Sequence, residues 1–415
     1  MSAANNRETI LQIVETAQPF QVTLAERALI RELLTIVDSV GGTTAVSKRA
    51  LLAAAFDLIV AAEYYRSVGH IGWVYCPEPA PALYYPYTNI CPRCGLDNQF
   101  HFHAANKPGS GIIGRRTSRL LAHFLSELFT SKGLNVAVLK GSEPIDIIFV
   151  DQATTPVTVM FAEIKAAPLL TLPLHVASQS LIIDTDNETQ AASHRVTDFS
   201  YLFGTQMNLF VPTYNAQSGS WHDKTFPIGI RQDVHDTEWA YRGLTKLLIE
   251  DPTFFTAYAE FWAASLQAYG QRSQESVYWL TNACGHPSPR PDSWPARRTG
   301  SGYETVSDGK TSVGMDRTDD IKKAIYQVIK LGSDGKPVED LKFLVGVVSN
   351  IHAVRHFEDY LASLKDIIWT RSTSAQVRIA SDLAPDTVLY NLFDGIIAIT
   401  QTFSRDEWIN KVFDF

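Results

Sequence analysis

The stretch "VMFAEIKAAPL", residues 159–169, is apolar except for two opposite charges one residue apart, Glu163 and Lys165. In a strand, residues i and i+2 project from the same face. Glu163 and Lys165 therefore share a face, and Ile164 turns the other way into packing. Upstream, "SEPIDIIFVD" (142–151) is a second strongly apolar run, opened by Asp146. If these runs pair as neighbouring strands, Asp146 comes close to Glu163. Two carboxylates held together repel unless a cation lies between them. All-oxygen donors suit a small hard ion such as magnesium, with the Ile164 carbonyl as a further possible ligand. A lysine beside them can orient a water or stabilise a developing negative charge.

Working outward, "NVAVLKG" (135–141) is a third strand-like run. Before it lies a predicted helix over Ser110–Thr130, with Leu120, Leu121, Phe124, Leu125 and Leu128 on one apolar stripe. Glu127 falls near that stripe; read locally it is an ordinary helix-surface glutamate, and only the resemblance given below makes it a candidate ligand of the metal. Residues 7–66 read as helical, including "TLAERALIRELLTIVDSVGG", which ends on glycines, and a second helix from Thr43 to Ser67. Residues 236–270 are again helical. "TDDIKKAIYQVIKLG" (318–332) is a helix closed by Gly332, and "LKFLVGVVS" and "FDGIIAITQ" are late strands able to join the first sheet. The expectation is an α/β (α+β) fold in which a mixed sheet is flanked by helices. Its parts are an N-terminal helical region (1–72), a knuckle-like segment (73–105), a core with the charged motif (106–210), a helical region (211–284), a long loop (285–314) and an α/β part completing the core (315–415).

The chain has 415 residues, which favours two or three units over one small core. A net charge of -8 argues against binding nucleic acid with the whole surface but leaves room for a local basic groove. Such a reversal of sign exists. No acidic residue occurs between Asp97 and Glu127, and Lys107, Arg115, Arg116 and Arg119 all fall there. The arginines sit near a predicted helix start, where backbone N–H groups already favour anions, so a phosphate backbone is the natural partner. A solvated helix face is the plainer alternative. Arg290, Arg297, Arg298, Lys310 and Arg317 lie in or beside the Pro/Gly/Ser-rich loop, which could read bases or be a simple linker.

Of four cysteines, Cys76, Cys91 and Cys94 cluster. "CPRCG" (91–95) is half of a zinc knuckle; Cys76 is a third ligand candidate, and His103 or His101 a fourth, ahead of the distant Cys284. This usage fits a reducing cytosol rather than a disulfide framework. The start "MSAANNRETILQIVETAQPF" shows no signal-peptide pattern, and the apolar run "LLAAAFDLIVAA" (51–62), which contains Asp57, is too short for a membrane span and reads as a buried helix.

Asp146 followed by Glu163-Ile164-Lys165 resembles the PD-(D/E)XK nuclease motif, with proline in "EPID" two residues before the aspartate rather than one. Together with "CPRCG…HFHAANKPGSGIIGRRTSRLL" ahead and "AEIKAAPL" behind, the region 76–175 resembles type II restriction endonucleases, in particular the ApaLI-like group. The resemblance implies a restriction-endonuclease-like sheet and Mg2+-dependent, site-specific cleavage of double-stranded DNA that leaves 5′-phosphate ends. Asp146 and Glu163 would hold the magnesium, Lys165 would act beside them, and the enzyme would work as a homodimer. A repair or recombination nuclease of the same superfamily, or a non-catalytic zinc-containing DNA-binding protein, would share these features. Asp320-Ile321-Lys322, Asp334-Gly335-Lys336 and Asp340-Leu341-Lys342 also match the second half of the motif. Asp340 is the serious rival because a strand follows it, but it lacks an upstream strand carrying an aspartate.

Overall fold

The apolar runs around Asp146 and Glu163 become adjacent strands. The structure is a computed structural model that describes residues 3–69, 72–77, 81–103, 105–177, 204–273, 277–294, 313–371 and 380–415. Contacts divide it into two units. The first comprises residues 1–20, 132–165 and 315–414; the second comprises 21–131, 166–314 and Phe415. Arg297, Arg298 and Lys310 lie outside the described residues.

In chain order the first elements are helix α1 (Ala3–Thr16), strand β1 (Gln18–Pro19), α2 (Leu24–Val40), α3 (Lys48–Tyr65), β2 (Val74–Cys76), β3 (Ala82–Tyr85), α4 (Pro92–Leu96) and α5 (Ser110–Ser131). Strands β4 (Val136–Lys140), β5 (Ile147–Asp151), β6 (Thr158–Ile164), β7 (Leu174–Ala177), β8 (Gln206–Asn215) and β9 (Ser220–Ile230) follow. The last are β10 (Lys342–Ser349), β11 (Ile368–Trp369), β12 (Tyr390–Asn391), β13 (Gly395–Ala398) and β14 (Thr402–Ser404).

The first unit holds a mixed seven-stranded sheet in the order β1-β4-β5-β6-β10-β13-β14, and a small β11-β12 pair. Strands β4, β5 and β6 form an antiparallel meander, whereas β6, β10 and β13 run parallel. The late strands thus join the first sheet. Every residue of β6 is buried, as expected of a central strand covered on both faces. Helix Thr318–Gly335 packs on the sheet with Ile321, Ala324, Ile325 and Val328, which belong to one core with Ile148, Val159, Phe161, Val345 and Ile396. This helix runs past Gly332 to Gly335. Gly335 is needed where it stands, because a Cβ there would lie 2.2 Å from the Phe343 ring.

The second unit has a five-stranded antiparallel sheet, β2-β3-β7-β8-β9. It therefore differs from the sequence reading in two places. The segment 73–105 contributes two strands rather than loop alone, and the long hairpin β8–β9 precedes the helices that the pattern found in 211–284. Those helices are two, Trp239–Glu250 and Pro252–Gln271. Asp251 caps the second by accepting from the Thr253 N–H, and Pro252 takes its first position, where no N–H is needed. Helix α3 is buried from Leu51 to Tyr65, so it is the central helix of this unit. Among the described residues, no helix is long and apolar enough to cross a membrane.

Candidate active site and thiol cluster

In the first unit, β5 and β6 pair with Ile147 opposite Ala162, so the next pair beyond the strand end is Asp146 opposite Glu163. Two bonds fix that end. The Asp146 N–H donates to the Ala162 carbonyl (3.2 Å), and the Ile164 N–H, the next rung of the ladder, donates to Asp146 Oδ2 (2.8 Å). A turn aims Asp146 there, with the Gly141 N–H donating to the Asp146 carbonyl (3.3 Å). A Cβ on Gly141 would lie 2.3 Å from the Ile145 carbonyl oxygen, so the turn closes only over a glycine.

Lys165 Nζ bonds Glu163 Oε1, as expected of i and i+2 on one face. Glu163 is buried and Asp146 is exposed, so the pair opens to solvent on the aspartate side. Burial first, and then the facing Asp146 charge, push the Glu163 carboxyl up; the hydrogen bond and charge of Lys165 counteract this. A cation between the carboxylates would relieve the same strain. With Asp146, Glu163 and the Ile164 carbonyl, the donor set is oxygen only, which fits magnesium.

The rival motifs fall elsewhere. Strand β10 runs parallel to β6 with Lys342 beside Thr158 and Val347 beside Glu163, so Asp340 and Lys342 lie at the opposite end of the strands. Lys342 pairs with Asp406 (2.9 Å), and Asp320 and Asp334 are both on the helix Thr318–Gly335. Glu127 has ion-pair partners of its own. It sits on α5 of the second unit and takes Arg27 (3.0 Å) and Arg31 (2.7 Å) from α2.

The sequence reading missed what the late strands bring to this sheet edge. The Lys165 N–H donates to Val348, and Ile399 N–H to Ser349, so Ser349 and Asn350 at the end of β10 and Thr400 after β13 join Lys165 at the carboxyl ends of the parallel strands. Asn350 is fully buried. His352 bonds Thr400 Oγ1 through its N–H (3.0 Å) and Nδ1 (2.9 Å), and burial pushes its imidazole pKa down against the pull of Asp316. Ligands of sheets with parallel strands gather at such ends. The signal was available as a polar run, "SNIH" and "TQT", directly after each apolar strand.

The arginines of α5 are largely engaged within the second unit. Arg119 bonds Glu26 (2.7 Å) and Glu63 (3.3 Å), and Arg116 lies 3.7 Å from Glu63. Tyr241 donates to the same Glu63 (2.7 Å). Helices α2 and α3 thus supply the acids that the local sequence lacks. Arg115 is exposed, and Lys107 Nζ lies over the Tyr87 ring, 5.9 Å from its centroid.

The second unit also gathers Cys76, Cys91 and Cys94, all buried, with their sulfurs within 4.8 Å of one another. Cys76 ends β2. Cys91 and Cys94 flank the first turn of α4, where Pro92 starts the helix and the Gly95 N–H closes onto the Cys91 carbonyl (2.8 Å). Hydrogen bonds from Cys76 and Cys94, and then burial, hold the Cys91 thiol well above its ordinary range; a bond to Cys76 leads in pushing Cys94 up to about 11. Three such thiols can hold zinc. His101 Nδ1 lies 3.2 Å from Cys94 Sγ, whereas the expected fourth ligand, His103, is buried two residues further on. Cys284 packs apart from them with Ile90, Trp279 and Trp294, and burial pushes its thiol up to about 12.

No family model, curated protein or solved structure matches the chain.

Proposed function

We propose that the chain is a magnesium-dependent DNA endonuclease that hydrolyses phosphodiester bonds through Asp146, Glu163 and Lys165, acting site-specifically in the manner of type II restriction enzymes. The observation that carries the reading is the juxtaposition at the open end of β5 and β6. Asp146 faces Glu163 across the ladder, and Lys165 is paired to Glu163 on the same face. In this reading Asp146, Glu163 and the Ile164 carbonyl hold the metal. Magnesium, when bound, supplies a Lewis acid that offsets charge on the phosphate and acidifies water. Lys165, held in place by Glu163, orients the attacking water and balances negative charge as it builds on the phosphate oxygens. Asp146 is fixed by two backbone bonds and therefore keeps its orientation when substrate arrives. A homodimer acting on a palindromic site, leaving 5′-phosphate ends, completes the proposal, because protein symmetry then matches site symmetry. The Cys76, Cys91 and Cys94 cluster is read as a zinc site apart from this chemistry, since soft sulfur suits zinc and oxygen suits magnesium.

The test is incubation of the purified chain with long double-stranded DNA and Mg2+. Discrete fragments are expected. Glu163→Gln and Lys165→Ala should each lose at least about 100-fold in cleavage rate, the scale of removing one group that stabilises transition-state charge, while retaining DNA binding. Intact DNA, or variants that cut at the wild-type rate, would overturn the proposal; a smear would redirect it to a nuclease without site preference.

A further inference from the structure

A three-thiolate zinc site has two possible lives. With water in the fourth position it is an open, hydrolytic centre; with a fourth protein ligand it is closed and structural. The fourth ligand therefore decides whether the chain carries one hydrolytic centre or two. Resting on the zinc reading of the cysteine cluster, we propose that His101 is that ligand, making a closed zinc centre of three cysteines and one histidine.

The argument begins with the backbone. Ile90 and Phe102 form an isolated antiparallel bridge. The Cys91 N–H donates to the His101 carbonyl (3.1 Å), and the His103 N–H donates to the Asn89 carbonyl (3.1 Å). Across such a bridge Cys91 stands opposite His101, and Asn89 opposite His103. Side chains alternate faces, so Cys91 and His101 project together from the face opposite Ile90 and Phe102. His103 shares that face but is one repeat further along, about 7 Å away. It is also tied at both ends of its peptide, since Asn89 Nδ2 donates to its carbonyl (3.0 Å).

The contact of His101 with Cys94 fits this placement. A tetrahedral zinc with Zn–S bonds of about 2.3 Å and a Zn–N bond of about 2.0–2.1 Å sets its sulfurs about 3.8 Å apart and sulfur to nitrogen about 3.6 Å. Cys76 Sγ and Cys94 Sγ are 3.7 Å apart, and His101 Nδ1 is 3.2 Å from Cys94 Sγ. Cys76 and Cys94 thus already stand one edge of the tetrahedron apart, and the imidazole, in reach of Cys94 but not within 4.8 Å of all three sulfurs, swings inward to complete the set. Three thiolates and Zn2+ leave one net negative charge, and Arg93, between the two knuckle cysteines in sequence, pairs with Asp97 (2.6 Å) and Asp223 (3.6 Å). Closed in this way, the zinc clips the end of β2, the start of α4 and the bridged segment around Phe102 together. It ties down a segment with little apolar periodicity of its own.

Zinc-edge X-ray absorption on the purified full chain should count three sulfurs and one nitrogen. Competition with a chromophoric chelator should show His101→Ala binding zinc at least about tenfold more weakly, since losing even an outer-shell partner costs 10–100-fold. His103→Ala should match wild type, and His101→Cys should restore tight binding through four thiolates. His101 is exposed, so its substitution leaves the fold to be judged by circular dichroism alongside. Zinc held equally by wild type and His101→Ala, or lost on His103→Ala instead, overturns the role of His101 while leaving a zinc site. A wild-type chain that takes up no zinc overturns the zinc reading beneath it.

Discussion

Asp57 offers the sharpest test of how the second unit is held. The side chain lies in the buried helix α3 and is fully inaccessible. Its Oδ2 accepts from the backbone N–H groups of Leu169 (2.8 Å) and Leu170 (3.1 Å) and from Trp262 Nε1 (2.8 Å). It thereby fastens the chain just after the AAP stretch, and an aromatic ring, to α3. Asp57→Ala leaves three buried donors without this acceptor. At about 1–3 kcal/mol each, the loss is about 3–9 kcal/mol, comparable with the whole stability of a typical domain. Asp57→Asn keeps the shape and one carbonyl oxygen but loses the charge. Hydrogen bonds to a charged group contribute about 1.5–3 kcal/mol against about 0.5–1.5 for neutral ones, so three bonds lose about 3 kcal/mol together. Relief from burying a charge offsets part of this. Urea denaturation followed by tryptophan fluorescence measures both variants. With a slope of about 3 kcal/mol/M, the Asn midpoint should fall by about 1 M or somewhat less. The Ala variant should be lower still, or fail to fold. An Asn midpoint equal to wild type, or an Ala variant more stable than the Asn variant, would refute the view that charge-assisted bonds from Asp57 hold this junction.

Arg119→Met should destabilise the protein by about 1–3 kcal/mol at neutral pH, because it takes the guanidinium of a half-buried arginine away from the buried Glu26 carboxylate. Its pH dependence has a definite sign. Burial alone raises the Glu26 carboxyl, but the His123 bond and Arg119 outweigh it and hold Glu26 below its ordinary 4.5. Glu26 therefore contributes stability above that value and loses it as pH falls through the lower folded pKa. The gap between Arg119→Met and wild type, read from urea midpoints, should be widest near pH 7 and shrink in acid; a gap that widens in acid would contradict the assignment. Arg115→Ala, by contrast, should leave stability unchanged and make the salt dependence of DNA affinity shallower by about one unit, as the loss of one phosphate contact would. An unchanged slope by filter binding would remove Arg115 from the interface.

The site was legible where chemistry is local and blurred where it depends on distant chain. Glu163 and Lys165 could be paired from a two-residue spacing, and Asp146 from one short antiparallel connection, because both relations follow from strand geometry. The arginines of α5 show the converse. An acid-free run of sequence looks like a basic surface until Glu26 and Glu63 arrive from other helices. His103 was preferred over His101 although both lie near CPRCG, because only the Ile90–Phe102 bridge reveals which histidine stands across from Cys91. Strands β8 and β9 were missed behind their mixture of polar and aromatic residues, which hides the period of two. Asn350, His352 and Thr400 follow strands recognised as strands, but their relation to Glu163 needed the parallel register of β6 with β10 and β13.

That parallel register also sets a timetable for synthesis. Strand β6 ends at Ile164, and its neighbour β10 ends at Ser349, 185 residues later. At about 5–20 residues per second, a ribosome needs roughly 10–40 s to deliver the partner. For that interval Glu163 lies on an edge strand, with no β10 to cover Val159 and Phe161. The strands at 206–230 and the helices at 239–271 emerge meanwhile, so the second unit has most of its parts while the first still waits for its central strands. A nascent chain stalled before residue 342 would therefore carry the Asp146–Glu163 pair on an unfinished sheet. Whatever that pair does in the finished protein is withheld until β10 has been made.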